Sequence, residues 1–378
     1  MKKILIICGE ASGDLHAGNL VKRILEANPD IAIYAVGGEV LSAAGAEIIY
    51  DIKGLAVLGL FDALKKLPVF LSLRKLLLKW IKENKPGLVV FVDFSGFNLR
   101  FAKSLNNSVP AIYFISPQVW ASRPGRVETI KKYISKMLVV FAFEKEFYKK
   151  YGLEVEFVGH PLLDIVAAHL AKEEFFVKHS LSPDKKTIAL LPGSRKSEIQ
   201  YNLPVMLKAA FITQDKLKDV QFLIAKSTQV DLGLYQDKIK GVNLDLRVIE
   251  GETYDCLNTA DFALVASGTA TLETAIMQKP FAVIYKMGLL NYLLYRPQVK
   301  LPYIGMVNIV AGKLIVPEFI QFKARPEYIA KFMIETLLSP EKLRSLQQEL
   351  SSVKVLLGEK GASLRAAKII SDCIENRP

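Results

Sequence analysis

The sequence is poor in cysteine and lacks a long uncharged apolar run. Its 378 residues include three cysteines, Cys8, Cys256 and Cys373, which lie far apart with no CxxC pair. This spacing predicts neither a disulfide framework nor a cysteine zinc site, and it fits a reducing cytoplasm. The longest charge-free segment, 104–122, holds two prolines and two asparagines. No helix of the ~18 to 20 apolar residues that cross a bilayer is therefore expected.

Histidine is also scarce. The four histidines, His16, His160, His169 and His179, show no metal-ligand spacing, so neither a metal nor another cofactor is predicted. His16 and His160 follow glycine-containing turns, which leaves a functional role open beside the favoured structural one. The apolar run Ile4–Cys8 is shorter than the ~7–15 residues of a signal peptide, so it predicts a first β-strand.

What the sequence does contain indicates a folded protein with anionic partners. Hydrophobic residues make up 51% and charged residues 23%, which excludes a disordered chain. Lysine and arginine total 50 against 38 acidic residues, and the net charge of +12 favours phosphates, nucleic acid or acidic lipid. No nucleic-acid-binding motif is present, so no nucleic-acid partner is predicted. The length predicts two domains.

Short β-rich runs alternate with helical patterns in both halves, as in parallel α/β sheets. The predicted strands are Ile4–Cys8, Ala32–Val36, Leu88–Val92, Ala111–Phe114, Met137–Val140, Val155–Val158, Thr187–Leu191, Gln221–Ala225, Leu244–Ile249, Phe262–Val265 and Phe281–Ile284. A polar stretch from Pro161 to Lys186 predicts the domain junction, and the chain from Pro326 onward is helical by pattern. We predict domains at 1–165 and 180–350, with terminal helices at 351–378.

Two loops of the first half carry candidate catalytic groups. Glu10 and Ser12 follow the first strand, at the sheet edge where α/β proteins bind ligands. Capping of the next helix is the alternative role for Ser12. Asp93 ends the strand Leu88–Val92, and a lone acid over an apolar floor suits a general base. A helix cap or a buried hydrogen-bond acceptor remains the alternative for Asp93.

Two loops of the second half predict nucleotide contacts. Gly193, Ser194 and Arg195 follow a strand, and a glycine turn, helix amides and a forked cation suit a diphosphate. A simple turn with a surface arginine is the alternative. Residues 267–273 likewise join a strand to a helix, with Glu273 able to accept two vicinal hydroxyls. Small-residue packing is the alternative there. A GxGxxG dinucleotide motif is absent from the first loop, which argues against a dehydrogenase.

The segment 60–84 mixes large apolar side chains with lysines and arginines. This pattern predicts an interfacial helix on anionic lipid, broken in two by Pro68. For its second piece, an ordinary domain helix with a solvated basic face is the alternative. The predicted membrane contacts are Phe61, Leu64, Leu67, Phe70 and Leu71.

Eight segments in order along the chain resemble the lipid-A-disaccharide synthase family. They are GEASGD at 9–14, DFSGFNLR at 93–100, SPQVWASRPGRV at 116–127, FEKEFY at 143–148, VGHPLLD at 158–164, LLPGSR at 190–195, SGTATLE at 267–273 and PYIGMVNIVAG at 302–312. The resemblance implies an α/β fold of GT-B type, with two Rossmann-like doubly wound domains across a cleft and a helical C-terminus. It also implies that the terminal helix returns to the first domain.

The implied reaction condenses UDP-2,3-diacylglucosamine with 2,3-diacylglucosamine 1-phosphate, giving a β(1→6)-linked disaccharide and UDP with inversion and without a metal. The implied site is Asp93 as base, Glu10 and Ser12 beside the acceptor, and, for the donor, Gly193, Ser194, Arg195, Ser267, Gly268, Thr269, Glu273 and Asn308. The resemblance implies a peripheral protein on the inner face of the bacterial inner membrane, and it leaves a homo-oligomer open.

Two positions depart from the family pattern. Many members carry a second acid where this chain has Gly96 and a tryptophan where it has Ser122. The first departure concentrates the role of base on Asp93, and the second puts details of acceptor binding in doubt. A UDP-sugar epimerase, a transferase acting on a polyprenyl lipid, and a non-catalytic sugar- or nucleic-acid-binding protein are the competing functions.

Overall fold

The computed structural model describes residues 2–55, 66–295 and 301–375. The chain divides into two compact units, one formed by Met1–Pro161 with Leu357–Pro378 and the other by Leu162–Leu356. We call them unit 1 and unit 2. Each contains one parallel β-sheet with helices packed on it.

Within the described residues, seven parallel strands form the sheet of unit 1, in the order β3-β2-β1-β4-β5-β6-β7. The strands are β1 Lys3–Ile7, β2 Ala32–Gly37, β3 Glu47–Asp51, β4 Leu88–Val92, β5 Ala111–Phe114, β6 Lys136–Val139 and β7 Glu156–Phe157. Strands β4 and β5 are buried along their whole length, because helices cover both sheet faces, and their sequences are apolar throughout.

Helices connect these strands and complete the core of unit 1. They are α1 Ala11–Ala27, α2 Glu39–Ala43, α3 Leu67–Asn84, α4 Ser95–Leu105, α5 Val119–Ser122, α6 Val127–Tyr133 and α7 Ala142–Lys149. Helix α3 begins with Pro68 in its first turn, where proline is tolerated because that amide needs no helical acceptor. Its inner face carries Leu73, Leu77 and Ile81, which join the hydrophobic core.

The sheet of unit 2 repeats the same pattern, with its described strands in the order β10-β9-β8-β11-β12-β13. The strands are β8 Lys186–Leu191, β9 Val220–Lys226, β10 Leu246–Glu250, β11 Phe262–Ala266, β12 Phe281–Tyr285 and β13 Glu318–Ile320. The helices are α8 Leu162–Ile165, α9 Lys172–Lys178, α10 Lys196–Lys216, α11 Leu232–Ile239, α12 Thr253–Thr259, α13 Ala270–Ile276, α14 Leu289–Tyr295, α15 Met306–Ala311, α16 Pro326–Leu337 and α17 Pro340–Leu356.

The last helix, α18 at Ala362–Glu375, belongs to unit 1 and packs on α1. The Lys2 ammonium donates to the carbonyl oxygen of Ile374 at 2.9 Å, which ties the two ends of the chain together. The prediction of a helical C-terminus is confirmed.

Every strand predicted from the sequence is present, with ends displaced by at most two residues. The prediction missed β3 and β13, which lie at the edges of their sheets. No residue of either strand is fully buried. Edge strands pack against fewer neighbours, so they need no continuous apolar run and give a weak sequence signal.

Candidate active-site regions

The predicted acceptor residues lie on two adjacent loops of unit 1. β1 pairs with β4 in a register that places Ile7 beside Phe91, so Gly9 and Asp93 each follow two residues later. Neighbouring strands are about 4.8 Å apart. The strand order reverses between β1 and β4, and open α/β sheets bind ligands at such a switch point. The structure therefore brings the loop of Glu10 and Ser12 next to Asp93.

Gly9 is needed for this approach. A Cβ atom on Gly9 would lie 2.3 Å from the ring of Phe94, the residue after Asp93. Only glycine lets the first loop pass under that ring. The Phe94 ring also stacks on Phe97, with ring centroids 5.4 Å apart.

The turn at Asp93 has an unusual backbone. Asp93, Phe94 and Ile115 adopt φ of 47°, 48° and 65°, a region that non-glycine residues rarely occupy. Ile115 follows β5, the neighbour of β4, so the three lie along one part of the sheet edge. Strain of this kind is concentrated at functional sites. Phe94, and not Asp93, holds the N-cap position of α4.

Two side chains hold the Asp93 backbone in this conformation. The carbonyl oxygen of Asp93 accepts from the Asn98 amide nitrogen at 2.9 Å and from the Tyr113 hydroxyl. Burial raises the pKa of Tyr113, and the nearby negative charge of Asp93 raises it further. The Asp93 carboxylate is thus close to the Tyr113 hydroxyl, and its own side chain is half-buried.

The first loop divides its polar residues between two roles. Within the described residues, the Ser12 hydroxyl makes no hydrogen bond and its side chain is exposed, so the capping role is wrong. Glu10 is half-buried at the N-cap position of α1. Asp14 is structural, because its buried carboxylate accepts from the amides of Gly38 at 2.7 Å and Val40 at 3.0 Å at the start of α2.

Three arginines that the sequence analysis did not single out gather near this edge. Partial burial lowers the pKa of Arg126, and the positive charges of Arg123 and Arg100 lower it further. Arg100 lies on α4, just after the Asp93 turn, and the other two follow α5. Among the described residues none of the three forms an ion pair with a carboxylate. The cluster is therefore an excess of positive charge beside the candidate base.

The segments SPQVW and FEKEFY meet inside unit 1. The buried Glu144 carboxylate accepts from the Trp120 indole nitrogen at 3.0 Å and from the amide of Phe141 at 3.1 Å. Burial raises the pKa of Glu144 to about 7, although these donors act in the opposite direction. The Ser116 and Tyr148 hydroxyls share a second hydrogen bond of 2.7 Å. These contacts lock the loop after β5 onto α7.

His16 and His160 are both buried in unit 1. Burial lowers the pKa of His16 to about 4, and burial with the nearby charge of His16 lowers that of His160 to about 3. Both rings are therefore neutral near pH 7. In the part of the chain that the structure describes, no group of three or more His, Cys, Asp or Glu residues is arranged to hold a metal ion.

The two predicted donor loops of unit 2 also lie side by side. Val265 of β11 pairs with Leu191 of β8, so Gly193 and Ser267 each follow two residues later. This is again the point where the strand order reverses. The two units thus carry their candidate loops at equivalent positions of equivalent sheets.

Glu198 contacts the loop of Gly193, Ser194 and Arg195 that was predicted to bind a diphosphate. Gly193 has φ of 122°, and a Cβ atom there would lie 2.4 Å from the Glu198 carboxylate. That carboxylate accepts from the amides of Ser194 at 3.0 Å and Arg195 at 3.3 Å, and it pairs with the Arg195 guanidinium at 3.1 Å. These two amides therefore already have an acceptor within the loop. The Ser194 and Arg195 side chains are exposed.

The second donor loop presents only some of its predicted residues. Gly268 and Thr269 are exposed, and nothing lies within 4 Å of a Cβ atom built on Gly268. The Ser267 hydroxyl donates to the carbonyl oxygen of Ile304 at 2.9 Å. The Tyr254 hydroxyl donates to the half-buried Glu273 carboxylate at 3.2 Å. Burial raises the pKa of Glu273.

Asn308 lies behind the second loop and not at its surface. It is fully buried, and its amide oxygen accepts from the backbone amides of Ile315 and Val316 at 2.8 and 3.1 Å. Its nitrogen donates to Glu318 at 2.8 Å, and Glu318 accepts from the Ile304 amide at 2.9 Å. Asn308 therefore positions the segment that holds Ser267, and the direct donor contact predicted for its side chain is wrong.

The predicted membrane residues differ from one another. Phe61 and Leu64 lie outside the described residues. Leu67 and Leu71 are 45% and 48% exposed on α3, as an outer face requires. Phe70 instead lies against Phe94, with ring centroids 6.0 Å apart, so it belongs to the core side of the helix. Among the described helices, none combines the length and the apolar character that crossing a bilayer requires.

The two parallel α/β units have the fold of the GT-B class. Solved structures share the fold at low identity. The Staphylococcus aureus MnaA–UDP co-structure has a TM-score of 0.67 and 17% identity, covering 100% of this chain and 99% of that one. The calicheamicin glycosyltransferase CalG4 has a TM-score of 0.62 and 14% identity, covering 100% and 99%.

The chain belongs to the lipid-A-disaccharide synthase family. The family model described as lipid-A-disaccharide synthetase matches residues 4–373. The lipid-A-disaccharide synthase of Syntrophus aciditrophicus is 44% identical over 368 residues, covering 97% of this chain and 96% of that protein. The Myxococcus xanthus synthase is 35% identical over 373 residues, covering 98% and 97%. The chain is thus a glycosyltransferase that joins UDP-diacylglucosamine to diacylglucosamine 1-phosphate in lipid A biosynthesis, and the predicted family is confirmed.

Proposed function

We propose that the chain makes the β(1→6)-linked disaccharide in a single displacement that inverts the anomeric centre, with Asp93 as the base. The observation that carries this proposal is the position of Asp93, which follows β4 at the switch point, beside the loop of Glu10 and Ser12. Its strained turn is held by Asn98 and Tyr113. A base fixed in this way needs little reorganisation before the proton transfer.

In this proposal Asp93 takes the proton of the acceptor 6-hydroxyl. The hydroxyl oxygen forms a bond to the donor C1 as the bond from C1 to the diphosphate breaks, and UDP leaves from the opposite side. One carboxylate suffices for such an inversion, by analogy with inverting glycosidases. Glu10 and Ser12 orient the acceptor sugar from the adjacent loop.

The arginine cluster supplies the acceptor's phosphate site. Diacylglucosamine 1-phosphate carries its phosphate on the acceptor sugar, and guanidinium groups bind phosphate in a forked geometry. Arg100, Arg123 and Arg126 are cations without a carboxylate partner among the described residues, next to the Asp93 turn. Many family members have a tryptophan where this chain has Ser122. Phosphate binding by the three arginines does not depend on that tryptophan.

Unit 2 holds the UDP moiety through side chains more than through helix amides. Arg195 and Ser194 bind the diphosphate from the first loop, whose shape requires Gly193, and Thr269 and Gly268 approach it from the second. Arg195 offsets the charge that grows on the leaving group, so we expect no metal requirement. Glu273 accepts the ribose hydroxyls, while Ser267, Glu318 and Asn308 keep the second loop in place.

We also propose that α3 places unit 1 on an anionic membrane, at the inner face of the bacterial inner membrane. Leu67 and Leu71 are exposed beside the exposed cations Arg74 and Lys75. Apolar side chains next to cations favour shallow insertion among acidic lipids. Phe61 and Leu64 of the adjoining sequence extend this contact.

The test is a transfer assay with both substrates dispersed in detergent. The wild type should release UDP and form the disaccharide, with the anomeric configuration read by NMR and activity retained in EDTA. Asp93→Asn should bind UDP normally yet lose turnover by about a thousandfold or more. The exposed Asp30→Asn serves as control. Wild-type turnover in Asp93→Asn would remove Asp93 as base, and absence of disaccharide would defeat the proposed reaction.

A further inference from the structure

Unit 2 carries an exposed apolar surface that contains none of the proposed donor residues. Helix α14 follows β12, and its leucines Leu289, Leu290, Leu293 and Leu294 are 53%, 65%, 60% and 46% exposed. These positions are spaced i, i+1, i+4 and i+5, so they share one side of the helix. Surface helices usually turn such a stripe toward the core. Contiguous exposed leucines therefore indicate a binding surface.

Specific contacts fix helix α14 to the rest of unit 2. The Tyr292 ring packs edge-on against Phe322, with ring centroids 6.0 Å apart, while Phe322 itself stays largely exposed. The buried Gln321 clamps the segment before α14, because its amide accepts from the Met287 nitrogen at 3.1 Å and donates to the Met287 oxygen at 3.0 Å. These contacts fix α14 on unit 2 with its leucines exposed.

A pocket lies next to the contact between α14 and Phe322, because Phe322 lines it and also packs against Tyr292. It has a volume of about 400 Å³ and is lined by Lys286, Gln321, Phe322, Ala324, Arg325 and Pro326. Its size lies within the range of small-ligand sites. Two of its six lining residues are cations and three are apolar, a combination suited to an anionic group that carries hydrocarbon.

The cations around the pocket lack anionic partners in the part of the chain that the structure describes. Within the described residues, none of Lys286, Lys323 and Arg325 forms an ion pair. The Arg325 guanidinium contacts a neutral group, the Tyr328 ring and hydroxyl. Uncompensated positive charge beside an outward apolar face is the charge complement of an acidic lipid surface.

We propose that α14 and this pocket form a second lipid-binding surface, which takes the phosphate headgroup of an anionic phospholipid between Lys286 and Arg325 and seats the leucines among its acyl chains. This rests on the proposed function in one respect, that the protein works at a membrane. In the proposed function, unit 2 binds the diacylated donor. The second surface gives unit 2 its own contact with lipid.

The surface is linked to the donor loop within unit 2. The fully buried Asn202 donates to the Pro192 oxygen at 3.1 Å and accepts from the Lys286 amide at 2.8 Å. Pro192 begins the loop of Gly193 and Arg195, and Lys286 lines the pocket. The lipid surface and the diphosphate loop are thus fixed to the same side chain.

The test is sedimentation of the full chain with vesicles of phosphatidylcholine and phosphatidylglycerol in equal parts, and with phosphatidylcholine alone. Leu290→Ser with Leu293→Ser should weaken binding to the anionic vesicles about tenfold. Lys286→Gln with Arg325→Gln should weaken it about tenfold, with little effect on phosphatidylcholine vesicles. The exposed Leu338→Ser and Lys208→Gln are the matched controls.

The outcomes separate the second surface from the membrane contact of α3 and from the reaction. If the pocket pair unfolds by circular dichroism, the exposed Lys323→Gln repeats the charge test. Unchanged anionic-vesicle binding in the leucine pair, or the same loss in the controls, overturns the second surface. A wild type that binds no anionic vesicle overturns both membrane contacts. Transfer with detergent-dispersed substrates needs no vesicle, so it reports on the reaction and separates failure of the surface from failure of the reaction.

Discussion

The amide nitrogen of Asn98 donates to the carbonyl oxygen of Asp93 at 2.9 Å, and it also lies 3.3 Å from the carbonyl oxygen of Ile7. One buried side chain therefore joins the end of β1 to the turn after β4. These are the two strands that flank the switch point of unit 1. The geometry of the candidate base depends on residues that do not touch substrate.

Tyr113→Phe tests this dependence, because it removes one donor to the Asp93 carbonyl and keeps the ring. We expect kcat to fall roughly tenfold to a hundredfold with little change in KM, since a slightly misplaced base is costly. Stability should fall by about 1 kcal/mol. Steady-state kinetics and urea unfolding measure the two effects.

Tyr148→Phe is the matched control in unit 1. It also removes a buried hydroxyl, which bonds to Ser116 and not to Asp93. It should lower stability by a similar amount while leaving kcat unchanged. Equal kinetic losses in the two variants would mean that Tyr113 acts only through general stability.

Gly193→Ala tests the first donor loop. The new methyl group would lie 2.4 Å from the Glu198 carboxylate, at a φ that L-residues avoid. The loop must then move, and we expect UDP affinity to fall at least about tenfold. Isothermal titration with UDP gives the measurement.

Gly312→Ala separates strain from collision in the same unit. Gly312 also has positive φ, but nothing lies within 4 Å of a Cβ atom there. This change should cost about 1 kcal/mol of stability and leave UDP affinity intact. If both alanines weakened UDP binding alike, the shape of the first loop would not explain the loss.

The sequence predicted the parts of the structure that depend on local pattern. Asp93 and Gly193 follow apolar strands, so their place at a sheet edge could be inferred from chain order. The Glu198 contact with the Ser194 amide could not, because a helix-capping acid and a phosphate suit the same amides. Asn308 was misassigned since its motif position does not show which way its amide points. Arg126 was missed because Arg100, which completes the cluster with Arg123, comes from a separate segment of the chain.

Glu144 predicts a pH dependence of stability in unit 1. Burial raises its pKa from 4.5 to about 7, so between these values the folded protein holds a proton that the unfolded chain has released. The stability from this group is fully present below about pH 4.5 and is lost as pH rises through about 7. The span corresponds to a loss of about 3 kcal/mol.

Glu144→Gln removes that titration and serves as the comparison. Urea unfolding at about pH 5 and about pH 8 should show wild type losing stability relative to the variant at the higher pH. In the variant the single amide oxygen can accept either from Trp120 or from the amides of Val140 and Phe141, so one side of this contact is lost at every pH and only the pH dependence is compared. A constant difference between the two proteins across this range would contradict the raised pKa of Glu144.

Serine at Leu67 and Leu71 tests the membrane contact of α3. Both side chains are largely exposed, so replacement should leave folding intact, yet each removes apolar surface that insertion would bury. We expect the double variant to partition into anionic vesicles about tenfold less, with smaller effects in each single variant. Transfer in detergent should not change. Leu364→Ser, exposed on α18 of the same unit, is the control and should partition like wild type. Equal partitioning of the double variant and wild type would assign membrane binding to another surface, because loss of two lipid-buried leucines cannot be without cost.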